Sequence, residues 1–146
     1  MGLSLPSPPR PVAAYVPSVA TGSLLFISGQ IPMVDGQVAC RGRVPGAVTV
    51  DQARGAARQC VLNGLAVASG ALGGDLSRVR RVVRLGVFVQ CDDGFTDQPL
   101  VANGASELLR ELFGDRGTHA RAAVGVNALP LDATVEVEMI LETGAA

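Results

Sequence analysis

From Thr49 to Leu72 the apolar residues recur at helical spacing, and in the segments on either side they recur at every second position. A chain whose hydrophobic period changes in this way can be neither a helical bundle nor an all-β sandwich. The first helix opens on Thr49 with Gln52 three residues later, a capping-box pattern. It carries Ala53, Ala57, Cys60, Val61, Gly64, Ala68 and Leu72 on one stripe and stops at Gly73-Gly74. A second helix follows further on, with Pro99 in its first turn, a stripe of Val101, Ala105, Leu108, Leu109, Leu112 and Phe113, and Gly114 at its end.

The remaining segments read as strands. Residues 14–20 and 24–30 flank Thr21-Gly22-Ser23 and predict a hairpin, Val34 to Gln37 predicts a second turn, and "RGRVPGA" reads as irregular chain that can hold a short strand. In the strand 81–90, Arg81, Val83, Leu85, Val87 and Val89 alternate with Val82, Arg84, Gly86, Phe88 and Gln90. In 118–130, alternation assigns Ala120, Ala122, Val124, Val126 and Ala128 to the core and His119, Arg121, Ala123, Gly125 and Asn127 to the other face. After the turn "LPLD", residues 134–142 place Val135, Val137, Met139 and Leu141 opposite Thr134, Glu136, Glu138 and Ile140. The order ββαβαββ predicts a single α+β domain over 13–146, a mixed sheet with two helices on one face, after a flexible segment 1–12. The opposite sheet face would then carry Arg84, Arg121, Glu136 and Glu138 among Val82, Gly86, Phe88, Gly125 and Ile140. Such a mixture of charge, bulk and gaps is the pattern of an interface, so an oligomer is expected.

Composition narrows the function. With 48% hydrophobic and 17% charged residues the chain can build a core, and with 3% aromatic residues that core is aliphatic. The formal net charge of -1 offers no cationic footprint for nucleic acid. Every basic residue is arginine, which excludes a lysine Schiff base and a phosphate-loop lysine. Cys40, Cys60 and Cys91 are scattered, as free thiols in a reducing compartment would be, and with His119 as the one histidine no metal or other cofactor is expected. The proline-rich start does not resemble a signal peptide and no segment reaches membrane-span length, so the expected location is cytoplasmic.

Arg121 is the residue this framework leaves unexplained. An always-charged fork in a strand of small residues pairs either with a carboxylate such as Glu136 or Glu138 or with a ligand. His119 would share its face, as a strand-end polar residue or as a catalyst. Ser28 lies in no nucleophile elbow.

Arg121 with "AAVGVNALP", followed by "VEVE", is similar to the C-terminal signature of the RidA/YjgF reactive-intermediate deaminase family, and "FISGQIP" behind Tyr15 resembles that family's N-terminal hairpin. The resemblance covers Tyr15 to Glu142. It implies a chorismate-mutase-like fold assembled as a homotrimer with clefts between subunits. The activity it implies is hydrolysis of enamine and imine intermediates, such as 2-aminoacrylate and 2-imino acids, to 2-keto acids and ammonia. By that resemblance Arg121 grips the substrate carboxylate and Glu136 serves the attacking water. Tyr15, Ser28, Gly29, Asn103 and the backbone at Ala123 line the pocket. A non-catalytic trimer that binds a carboxylic acid at the same cleft is the alternative. The chain departs from the family pattern in "PVAA" before Tyr15, in Ala123 where cysteine is common, and in a longer connection "CDDGFTDQPLVANGAS". These departures surround the pocket mouth.

Overall fold

The structure, a computed structural model, describes residues 2–8 and 13–145. The flexible segment expected over 1–12 therefore lies partly outside the described residues. Within 2–8 there is no helix or strand, and Pro6, Ser7 and Pro8 lie against a cavity of the domain.

Strands β1 (Ser18–Thr21) and β2 (Leu24–Gln30) form the expected hairpin. A short ribbon of β3 (Met33–Val34) and β4 (Gln37–Val38) turns on Asp35 and Gly36, both at positive φ as a tight hairpin turn requires. Helix α1 (Val50–Ala71) begins with the complete capping box: Thr49 accepts from the Gln52 N–H, and Gln52 returns the contact to the Thr49 N–H. A cap of this kind stabilises a helix by about 1 kcal/mol. Strand β5 (Val79–Gln90), helix α2 (Gln98–Phe113, closed by Gly114 at φ 60), β6 (Ala120–Val126) and β7 (Val135–Thr143) complete the chain.

The main sheet has the order β1-β2-β7-β5-β6, antiparallel except for the β5–β6 pair, so it is mixed and β6 is a free edge. Both helices cover one face, α1 against β2 and β7 and α2 against β5 and β6. Between them lie Leu25, Ile27, Leu85, Val87, Val89, Val137, Met139 and Leu141 with the helix stripes, all buried. The aliphatic helices pack closely because glycines sit at the contacts. A methyl group on Gly64 would collide with the Met139 side chain, and one on Gly104 would collide with the backbone carbonyl of Arg54 where α2 crosses α1.

Two face assignments differ from the sequence reading. In β5 the pairing with β7 shifts register between Val82 and Arg84, and that irregularity turns Val82 inward to full burial beside Leu85. Val82 therefore belongs to the core, and Val83 is only half-buried. In β6 the faces are exchanged. Ala120, Ala122 and Val124 are exposed, whereas Ala123 packs on the core, and a Cβ on Gly125 would strike Cys91 Sγ and Gln98 on the helix side. The reason is that β6 is an edge strand of small residues, where alternation between alanines and glycines carries almost no difference in burial energy. Arg121 thus points to the helix side, away from the face that holds Arg84, Glu136 and Glu138.

Candidate functional site

The site residues read from the sequence fall into two groups, on opposite faces of the sheet. The first surrounds Glu136. Alternation in β7 buries Val135 and Val137 and turns Glu136 to the face without helices, where Gly29 of the neighbouring β2 lies against its carboxylate. A side chain at position 29 would occupy the space of the Glu136 oxygens, so the glycine is what makes room for the acid. The pairing of β2 with β7 is irregular between Ile27 and Gln30, which is where this room opens.

Glu136, Gly29 and Tyr15 line a cavity of about 610 Å³ whose walls include Pro17, Ile31 and Leu131. Tyr15 stands at the mouth, 50% exposed. Ser28 does not face the cavity; its hydroxyl donates to the Val16 carbonyl at 2.7 Å and its N–H donates to the Pro17 carbonyl, so it braces the segment that carries Tyr15. Partial burial, followed by the charge of Glu138, raises the pKa of Glu136. Among the described residues Glu136 has no cationic partner, and Arg84, further along the same face, is paired with Glu138 at 3.4 Å.

The second group surrounds Arg121. Its Nη1 donates to Asn103 Oδ1 at 2.9 Å and to Ser106 Oγ at 3.1 Å, both on α2. Neither acceptor is charged, and among the described residues Arg121 makes no salt bridge. The ion pair with Glu136 or Glu138 that the sequence left open does not form within the chain. The Nε–Nη2 edge, the one shaped for a carboxylate, has no acceptor among the described residues. Ala123, two positions along, shares the face of Arg121 and is half-buried. Behind Ser106 stands His119, with Nε2 at 2.8 Å from Ser106 Oγ and Nδ1 at 2.6 Å from the Gly117 carbonyl. Nothing in the sequence marks Ser106 as a site residue. Its only signal was its place on α2 one turn from Asn103, which spacing alone does not turn into a contact with β6.

Neither Arg121 nor Asn103 lines the cavity at Glu136. Within one chain the two groups stay separate. Among the described residues no three His, Cys, Asp or Glu side chains gather as a metal site would require, and no helix is long and apolar enough to cross a membrane.

Comparison with known proteins identifies the family of the chain. Residues 1–143 match the profile of the family described as "YjgF/chorismate_mutase-like, putative endoribonuclease". The chain belongs to this YjgF (RidA) family. It is 44% identical to Protein TCP17 of Trypanosoma cruzi over 143 residues, covering 97% of this chain and 89% of that protein. It is 33% identical to a 2-iminobutanoate/2-iminopropanoate deaminase of Dermatophagoides farinae, covering 95% and 93% of the two chains. Among solved structures, a protein of unknown function from Agrobacterium tumefaciens superposes with a TM-score of 0.93 at 45% identity, over 98% of this chain and 87% of that one.

Proposed function

We propose that this protein is a homotrimeric hydrolase of 2-imino acids and their enamine tautomers, working in clefts where the Arg121 group of one copy meets the Glu136 group of the next. The observation that carries the reading is Arg121: a guanidinium held on one side by two neutral acceptors, with no acceptor among the described residues on its carboxylate-shaped edge. A 2-imino acid supplies the missing anion. The face without helices supplies the contact, since Phe26 at 40% and Val124 at 47% exposure are apolar side chains that a monomer would leave in water.

The chemistry asks little of the protein. The iminium carbon is electrophilic, so a positioned water attacks it, the C–O bond forms, and Glu136 takes the water's proton. The resulting carbinolamine, once its nitrogen is protonated, breaks its C–N bond and expels ammonia, and its hydroxyl proton returns to Glu136 or to water as the C=O bond forms, leaving the 2-keto acid. Glu136 suits this exchange because its raised pKa moves it toward the range where it can both accept and return a proton. Arg121 alone would serve a binding protein; Glu136, without a cationic partner among the described residues and beside a cavity, favours the enzyme. The deaminase name of the Dermatophagoides farinae relative supports the same reaction class. The free thiols of Cys40, Cys60 and Cys91 suit a cytoplasmic protein.

The test couples an amino-acid oxidase, which generates imino acids from several amino acids, to a measurement of keto-acid release with and without the protein. Faster release with the protein is expected. An unchanged rate across small and large apolar substrates would refute the reading.

A further inference from the structure

We infer that Ser106 and His119 are positioning residues that fix the guanidinium of Arg121, an inference that rests on the reading of Arg121 as the carboxylate grip. The direction of each hydrogen bond follows from the last link. The Gly117 carbonyl can only accept, so the His119 nitrogen 2.6 Å from it, Nδ1, carries the proton. In a neutral ring Nε2 is then the acceptor, and the Ser106 hydroxyl, 2.8 Å away, donates to it. That commits the hydroxyl hydrogen and turns the oxygen's lone pairs to Arg121 Nη1 at 3.1 Å.

The surroundings hold this relay in one sense. Burial first, and the charge of Arg121 after it, disfavour a protonated imidazole, although the Gly117 carbonyl acts the other way. Gly117 is buried, and a side chain there would collide with the Leu109 carbonyl, so the base of the relay is packed against α2. With Asn103 as the second acceptor, Nη1 is tied twice and the plane of the fork is set before any ligand arrives. A fork ordered in the free protein has less rotamer entropy to lose on binding.

The experiment uses full-length protein labelled with ¹⁵N and ¹³C, arginine and histidine side-chain NMR, and titration with pyruvate. His119 is the single histidine, so its ring signals need no assignment. The expected results are an Nδ1–H tautomer at neutral pH and slow rotation of the Arg121 guanidinium in the parent. Rotation should be faster in Ser106→Ala and restored in Ser106→Thr. Pyruvate affinity should fall about fivefold in Ser106→Ala, the worth of one hydrogen bond of about 1 kcal/mol. Adding His119→Ala to Ser106→Ala should weaken it no further, because the imidazole acts only through that hydroxyl. Ser106→Ala is a mild change in a helix, and its melting temperature should stay at the parent's.

An Nε2–H tautomer, or a Ser106→Ala variant with parental guanidinium rotation, overturns the inference. If Ser106→Ala frees the guanidinium but the parent protein does not bind pyruvate, the positioning role holds and the proposed reaction fails. If Arg121→Ala abolishes binding while Ser106→Ala leaves affinity unchanged, the reaction survives and the positioning role is refuted.

Discussion

Gly29 and Glu136 are packed so closely that a single methyl group on the glycine would displace the carboxylate. The atom in the way is the end of a flexible side chain, so the fold can absorb the change while the acid cannot keep its place. Gly29→Ala is expected to melt close to the parent and to lose most of its imine hydrolysis, while pyruvate affinity, set by Arg121, stays within about twofold. Calorimetry beside the coupled assay checks both halves, and a fully active Gly29→Ala protein would remove Glu136 from the mechanism.

Arg121→Ala and Arg121→Lys should both weaken pyruvate binding, by roughly tenfold to a hundredfold, the range of a charge-assisted contact of about 1.5–3 kcal/mol. Lysine keeps the charge and loses the fork, so it should rescue little. Isothermal titration reads the affinities directly. Because Arg121 has no charged partner within the chain among the described residues, neither variant should lower stability by more than about 1 kcal/mol.

Glu136→Gln should slow turnover by on the order of a hundredfold and leave affinity nearly intact. It should also stabilise the protein at neutral pH. An acid whose folded-state pKa is raised contributes stability below its unfolded value, and that contribution is lost as pH rises through the folded value. At neutral pH the ionised, half-buried carboxylate therefore opposes folding and glutamine does not. The gain should shrink toward zero as pH falls below about 4, where the unfolded carboxyl is also protonated. Melting curves across pH check the sign, and the acid limb of kcat/KM in the parent should lie above the ordinary carboxylate range.

Assembly makes a separate prediction, readable by sedimentation as a particle of three 14.9 kDa chains. If the clefts join the Arg121 group of one copy to the Glu136 group of another, dissociating and reassociating a mixture of Arg121→Ala and Glu136→Gln chains should restore activity. Random mixing in equal amounts leaves about a quarter of the clefts with both residues. No recovery above the sum of the separate variants would place each site within one chain.

Much of this fold was legible where local chemistry is decisive. Thr49 with Gln52, Pro99 and Gly114 each mark a helix end by satisfying or ending a particular backbone pattern, and the helices begin and stop there. The strict alternation of β7 likewise fixed Glu136 on the face away from the helices. The orientation of β6 was not legible, because exchanging alanine with glycine between faces changes too little buried area to choose between them. Nor was the register shift in β5, where two residues of β5 are set against one of β7, a mismatch that exists only once the strands are paired. At the site, Arg121 stood out by being charged among small residues. Ser106 did not, because it becomes informative only when α2 is laid beside β6.

The crossing of α2 over the Arg54 carbonyl at Gly104 carries a consequence for how such a protein can vary over generations. Gly104 has no side chain to offer a ligand, yet it adjoins Asn103 and lies half a turn from Ser106 on the helix that holds Arg121. Any larger residue there would lift α2 outward and draw both acceptors off the guanidinium at once. A random-mutagenesis screen scored on turnover would therefore return position 104 alongside the chemical groups. Its tolerated alphabet would shrink to one letter for reasons of clearance alone.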